Sequence, residues 1–155
     1  PVEGDNKTRA APDALVAFGR PKGCRGSYKQ WEEEGVAPQV VFEVLSPGNR
    51  VAEMTRKFRF YEKFGVEEYY IYDPDEVRLS GWLRSGGGLE EITDVQGWVS
   101  PRLGVRFELG DELRLIGPDG QHFLSYVELA AQRDEATRRA ERLAARLREL
   151  GEDPE

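Results

Sequence analysis

The sequence predicts an α/β (α+β) domain in which a mixed β-sheet is flanked by helices and followed by a long C-terminal helix. Three observations predict this class. An apolar segment at residues 40–45 is followed by a helical pattern and then by a second apolar segment at residues 68–72. Several short β-like segments come next, separated by turns rich in Gly and Pro. Residues 123–150 then have the spacing of one long helix.

The first two strands are predicted from apolar runs. Residues 12–18 form a short apolar run that is bounded by Gly19. Residues 40–45 are the most β-like stretch of the chain, and only Glu43 interrupts their apolar character. A nearly continuous apolar run of this kind is typical of a strand that is covered on both faces.

A helix is predicted over residues 51–64, because apolar side chains recur there at helical spacing. These residues are Val51, Met54, Phe58 and Tyr61. Gly65 stands where a C-terminal cap is expected. With the strands before and after it, this helix should form a right-handed unit whose two strands are parallel.

The second half of the chain is predicted to hold short strands and then a helix. The short strands are expected at residues 77–83, 89–93, 105–109 and 113–116. They should form an antiparallel meander that flanks the central sheet. The sequence therefore predicts a domain over residues 1–122, a helix over residues 123–150 and an acidic tail over residues 151–155.

The C-terminal helix has a weak heptad pattern with intervals of four and three residues. Its members are Ala136, Ala140, Leu143, Leu147 and Leu150. A surface helix with an apolar stripe explains this pattern as well as a coil for dimerisation or for binding a partner does.

Composition restricts the possible functions. The chain has 155 residues, with 22 Lys and Arg against 29 Asp and Glu, so its net charge is −7. This charge argues mildly against a protein that coats nucleic acid. A single cysteine excludes an intrachain disulfide and favours the cytoplasm, and a single histidine excludes a His-based metal cluster. No apolar run reaches the roughly 20 residues of a membrane span, so we expect no membrane partner. The chain does not begin with Met, and we expect a natural N-terminal segment to precede it.

Three residues are candidates for chemistry. Glu43 lies inside an apolar strand, where an acid is costly to bury unless it is paired or bound to a metal. Asp13 lies at the start of the first strand, and the residues alone assign it no role. Lys57 follows Glu53 by four residues, so the residues alone favour a surface ion pair between them. The long side chain of Lys57 could also reach over the end of the sheet towards Glu43.

Two basic segments are candidates for contact with phosphates. Residues 19–30 contain four cations and no acid, and a second basic segment begins at residue 50. The candidate DNA-binding residues are Arg20, Lys22, Arg25, Lys29 and Arg50. A solvated loop and a loop that grips a phosphate backbone are both compatible with this composition.

Several ordered motifs resemble the Uma-type putative restriction endonucleases. The first is Ala-Pro-Asp followed by apolar residues at 11–16, and the second is Pro-Gln-Val-Val-Phe-Glu-Val-Leu-Ser-Pro at 38–47. Lys57, Tyr61, the segment Gly-Val-Glu-Glu-Tyr at 65–69 and Asp-Pro at 73–74 complete the pattern. The resemblance covers roughly residues 10–75.

The resemblance implies a restriction-endonuclease-like fold and a PD-(D/E)XK nuclease site that hydrolyses DNA with Mg²⁺ or Mn²⁺. Asp13, Glu43 and Lys57 match the catalytic residues, and the cation would be held by Asp13, Glu43 and the carbonyl of Val44. Leu45 occupies the position where the wider superfamily usually has its lysine. In the Uma-type pattern the lysine comes from the following helix, where Lys57 matches it.

The expected partners are DNA and a second copy of the chain, bound through the C-terminal helix. The alternative is a nuclease-fold protein without catalysis that binds DNA or docks a partner.

Overall fold

The computed structural model describes residues 3–5, 7–21, 23, 26–46, 48, 51–124 and 126–149. It divides into two compact units, residues 1–121 and residues 122–155, and each is described by itself. The strands of the first unit are β1 (Ala14–Val16), β2 (Val40–Val44), β3 (Glu68–Asp73), β4 (Arg78–Ser85), β5 (Gly88–Glu91), β6 (Arg106–Leu109) and β7 (Leu113–Ile116). Its helix α1 spans Val51–Lys63, and one 3-10 turn spans Gln30–Glu32.

Five strands form a mixed sheet in the order β1-β2-β3-β4-β5. Strands β2 and β3 are parallel, as the strand–helix–strand pattern predicts, and the other neighbours are antiparallel. The predicted fold class, with its mixed sheet and long C-terminal helix, is confirmed.

The four short segments after β3 do not form one meander, which corrects the prediction. Strands β4 and β5 extend the main sheet, whereas β6 and β7 form a separate two-stranded sheet. Gly81 of β4 lets the ring of Tyr70 lie against the strand, since a Cβ atom there would lie 3.0 Å from both Tyr70 and Ile92. The pairing of β4 with β3 is therefore close. Strand β6 packs on one face of the main sheet, since its Phe107 belongs to the same buried cluster as Val40 and Tyr70.

Each face of the main sheet carries its own apolar cluster. On the α1 face, the buried residues are Val41, Tyr61, Val66, Tyr69 and Leu89. On the opposite face, they are Val40, Tyr70, Leu79, Val105 and Phe107. Strand β2 contributes to both clusters, so it is covered on both faces, as its apolar run predicts.

A buried carboxylate joins β3 to the segment before β6. Glu68 is fully buried and accepts hydrogen bonds from the Tyr70 hydroxyl at 2.9 Å and the Arg102 backbone N–H at 2.7 Å. The Ser100 hydroxyl donates a third, short hydrogen bond to it. Since a buried charge must be hydrogen-bonded to be tolerated, this network fixes the 100–103 turn against the sheet.

The second unit contains the helix α2, which spans Tyr126–Glu149. Leu129 and Leu143 are more than half exposed on it. Ala136 and Ala140 of the predicted heptad pattern also lie in α2, whereas Leu150 lies outside the described residues. Within the part of the chain that the structure describes, no helix is both long and apolar enough to cross a membrane.

Candidate functional site

The alternation of β2 determines where Glu43 points. Val41 packs under α1, and side chains two residues apart share a face of a strand. Glu43 therefore also points towards α1, and its side chain is only 2% exposed. The acid that interrupts the apolar run is thus buried between the sheet and the helix.

Two side chains of α1 hold this carboxylate. Lys57 Nζ lies 2.7 Å from Glu43 Oε2, and the Tyr61 hydroxyl donates to Glu43 Oε1 at 2.8 Å. Residues four apart lie on one face of a helix, so Lys57 and Tyr61 reach the same carboxylate. The alternative surface pair of Lys57 with Glu53 is not formed, since Glu43 takes the ammonium group.

Asp13 reaches the same end of β2 from the neighbouring strand. The register pairs Ala14 with Phe42, and one further step along both chains places Asp13 opposite Glu43. Asp13 Oδ2 accepts a hydrogen bond of 2.7 Å from the backbone N–H of Val44. Its side chain is exposed, so Asp13 faces solvent at the point where Glu43 is buried.

Burial, two hydrogen bonds and two neighbouring charges act on the pKa of Glu43. Burial raises the pKa of Glu43, the hydrogen bonds from Lys57 and Tyr61 lower it, and the charge of Asp13 raises it again. The pKa of Glu43 ends above its ordinary value. Burial and the adjacent Glu43 carboxylate also raise the pKa of Tyr61 far above its usual range, so Tyr61 acts only as a hydrogen-bond donor here.

A second tyrosine lies close to the carboxylate without bonding to it. Tyr69 is fully buried, and its hydroxyl has no hydrogen-bond partner among the described residues. Burial and then the charge of Glu43 raise its pKa. The hydroxyl is a polar group within electrostatic reach of Glu43 that the core leaves unsatisfied.

The donor atoms at this end of β2 suit a hard divalent cation. Such cations prefer oxygen ligands, and Mg²⁺ commonly uses one or two carboxylates and keeps several waters. Asp13 and Glu43 could supply the carboxylates, and the half-exposed Val44 could add its backbone carbonyl. No group of three or more His, Cys, Asp or Glu suited to a metal occurs within the described residues. Two carboxylates and one carbonyl therefore suit a cation such as Mg²⁺ that keeps several water ligands. They do not suit a cation whose ligands all come from the protein.

Two cations of the predicted basic loop are paired with acids that follow the loop in sequence. Arg20 forms an ion pair with Glu34 at 3.0 Å, and Lys29 forms one with Glu32 at 2.9 Å. These ion pairs reduce the positive charge that the loop can offer to a phosphate. Lys22, Arg25 and Arg50 lie outside the described residues, so their role in binding DNA stays a prediction.

Sequence reasoning missed a basic cleft beside Lys57. The cleft has a volume of about 360 Å³ and is lined by residues of the segment before β1 and by one side of α1. Its charged lining residues are Lys7, Arg9, Glu53, Arg56 and Lys57. The available signal was the pair of cations shortly before Asp13, together with the Arg56-Lys57 dipeptide. The hydrogen bond from Tyr61 to Glu43 was also not predicted, although the spacing of four residues places Tyr61 and Lys57 on one face of the helix.

Comparison with known proteins finds a family and a similar solved structure. The sequence model of the Uma2 family, described as "Putative restriction endonuclease", matches residues 1–115. A crystal structure of a putative nuclease belonging to DUF820 from Anabaena variabilis is 23% identical, with a TM-score of 0.33. That match covers 42% of this chain and 35% of the other, so this chain spans about a third of the length of that protein. A search of curated proteins finds no match.

Proposed function

We propose, from the premise that the chain belongs to the Uma2 family of putative restriction endonucleases, that it is a metal-dependent endonuclease that hydrolyses DNA phosphodiester bonds. One observation carries the proposal. Two carboxylates on neighbouring strands, Asp13 and Glu43, and the ammonium group of Lys57 meet at one end of β2. These groups suit metal-dependent phosphodiester hydrolysis, since carboxylates can hold a cation and a lysine can stabilise developing negative charge.

We place the cation, Mg²⁺ or Mn²⁺, on Asp13, Glu43 and the carbonyl of Val44. When bound, it would polarise the phosphate and make a water molecule a stronger nucleophile at neutral pH. The hydrogen bond from Val44 N–H fixes Asp13 Oδ2, and the Tyr61 hydroxyl fixes Glu43 Oε1. These contacts hold the carboxylates in place before a substrate arrives, which lowers the cost of assembling the site.

Lys57 is proposed to orient the attacking water and to stabilise the charge that develops on the phosphate. Its ammonium group is held by Glu43, and its side chain remains 14% exposed. It also lines the basic cleft, so it can contact an anion from the solvent side while Glu43 holds it from the protein side. Lys57 on α1 would thereby take the role of the lysine that the wider superfamily has at the position of Leu45.

Cleavage of both DNA strands by a domain with one site requires two copies. We therefore propose a homodimer, and the exposed Leu129 and Leu143 of α2 support this helix as its interface. We also propose that the protein acts in the cytoplasm, because a single cysteine cannot form the intrachain disulfides that are typical of secreted proteins.

A second candidate is a nuclease-fold protein that binds DNA or docks a partner without cutting. The described residues provide only two acids at the site, and both oxygens of Glu43 already accept hydrogen bonds. Titration with Mn²⁺ separates the two candidates. Binding at or below millimolar concentration supports the nuclease, and failure to bind supports the docking protein.

The proposed nuclease is tested by cleavage of supercoiled plasmid with Mg²⁺ or Mn²⁺. The wild type, Glu43→Ala and Lys57→Ala are compared, with Glu90→Gln on β5 and Lys63→Ala on α1 as exposed controls. We expect the first two variants to lose at least about 100-fold in rate and both controls to keep the wild-type rate. Unchanged cleavage in both Glu43→Ala and Lys57→Ala would disprove the assigned mechanism.

A further inference from the structure

Three cations of the basic cleft have no anionic partner among the described residues. They are Lys7, Arg9 and Arg56. Elsewhere in the same unit, Arg20, Arg102 and Arg106 each pair with a glutamate. The cleft thus concentrates free positive charge in a protein whose net charge is −7.

We propose that this cleft binds the backbone phosphate that neighbours the bond to be cut, with Arg9 and Arg56 as its principal contacts. The inference rests on the proposed function, because it takes the substrate to be a DNA strand. Arginine suits this role, since its planar guanidinium donates two parallel hydrogen bonds to a phosphate.

The charge of the cleft selects an anion. With Lys57 engaged by Glu43, the three remaining cations face a single acid, Glu53. A site with this excess favours a polyanion such as the nucleic acid backbone, because binding releases the counterions condensed on its phosphates. Phe60 adds an apolar wall that can pack against a sugar.

Two connections place the cleft beside the catalytic residues. Arg56 directly precedes Lys57, and Lys57 both lines the cleft and contacts Glu43. The chain that forms the other wall, residues 7–11, continues into Asp13 within two residues. A phosphate in the cleft would therefore be the neighbour of one held at Asp13 and Glu43. The substrate class that follows is a strand with at least two consecutive phosphates.

The test measures DNA affinity without cleavage. A fluorescent 20-base-pair duplex is titrated in EDTA with four proteins: the wild type, Arg9→Gln, Arg56→Gln and Arg59→Gln. Fluorescence anisotropy gives the affinity of each protein over a range of salt concentrations. Arg59 is the matched control, because it is an exposed arginine on α1 that does not line the cleft. Circular dichroism confirms that each variant is folded.

We expect Arg9→Gln and Arg56→Gln each to weaken binding about fivefold and to reduce the slope of log affinity against log salt by about one. Arg59→Gln should keep the wild-type slope. Equal slopes in all four proteins, an equal loss in Arg59→Gln, or no binding by the wild type would overturn the cleft assignment. The result is separable from the proposed function: reduced slopes without plasmid cleavage retain the cleft and reject the nuclease, whereas cleavage with unchanged slopes does the reverse.

Discussion

Lys57 Nζ lies 2.7 Å from Glu43 Oε2, and this ion pair joins α1 to the buried end of β2. Both groups are largely removed from solvent, with side-chain exposures of 14% and 2%. A buried pair of this kind contributes little net stability compared with an apolar pair, but loss of one partner leaves an uncompensated charge.

Lys57→Ala should therefore destabilise the fold strongly at neutral pH. We expect a loss of about 2–4 kcal/mol in the free energy of unfolding, because Glu43 stays buried without its cation. Lys63→Ala, on the exposed side of the last turn, should cost less than about 1 kcal/mol. Denaturant unfolding at pH 7 measures both variants. Equal costs would mean that the Lys57 pair behaves as a surface pair.

Glu43→Gln should change how stability depends on pH. The pKa of Glu43 in the fold lies above its ordinary value of 4.5, chiefly because of burial. A raised acid pKa gives stability that is complete below the unfolded pKa and is lost as the pH rises through the folded pKa. Relative to the wild type, Glu43→Gln should gain stability as the pH rises above 4.5. Thermal unfolding from pH 4 upwards tests this, and a fall in the stability of Glu43→Gln relative to the wild type as the pH rises would contradict it.

Two tyrosines provide an internal comparison. Tyr61→Phe removes a hydrogen bond to a buried carboxylate and should cost about 1.5–3 kcal/mol. Tyr69→Phe removes a hydroxyl that has no partner in the described part of the chain, so it should be neutral or stabilising. Denaturant unfolding of both variants gives the order. A larger cost for Tyr69→Phe would show that its hydroxyl is satisfied in solution.

The buried Glu68 should be structural rather than catalytic. Glu68→Ala leaves the buried Ser100 hydroxyl and the Tyr70 hydroxyl without their acceptor, so we expect a cost of about 3 kcal/mol or more. Glu67→Ala is the neighbouring control. It removes a partly exposed ion pair with Arg102 and should cost at most about 1 kcal/mol. Similar costs in the two variants would contradict the network.

The sequence predicted the parts of the fold and site that depend on local patterns. An apolar strand interrupted by Glu43 indicates an acid that needs a partner or a metal. Helical spacing correctly indicates that Phe58 and Tyr61 face the sheet, whereas Val51 of the same pattern is 85% exposed. The partner of Lys57 was not decidable in this way, because Glu53 at four residues and Glu43 at fourteen are both chemically suitable.

Contacts between residues far apart in sequence were not predicted, because local patterns do not show which distant segments the fold brings together. Glu68 finds its partners at Ser100 and Arg102, more than 30 residues away, and no local pattern encodes that fold-back. The pairing of Arg20 with Glu34 likewise depends on the path of the loop between them. The cleft cations come from two separate segments that only the fold brings together.

The central claim is that Asp13 and Glu43 hold the cation that the reaction needs. Anomalous diffraction from crystals soaked in Mn²⁺ tests it directly, with Asp13→Asn as the control. Asparagine can still accept the hydrogen bond from Val44 N–H but removes a charged ligand. We predict an anomalous peak between Asp13 and Glu43 in the wild type and its loss in Asp13→Asn. A wild-type structure without that peak at millimolar Mn²⁺, or with a peak that Asp13→Asn leaves unchanged, would contradict the account.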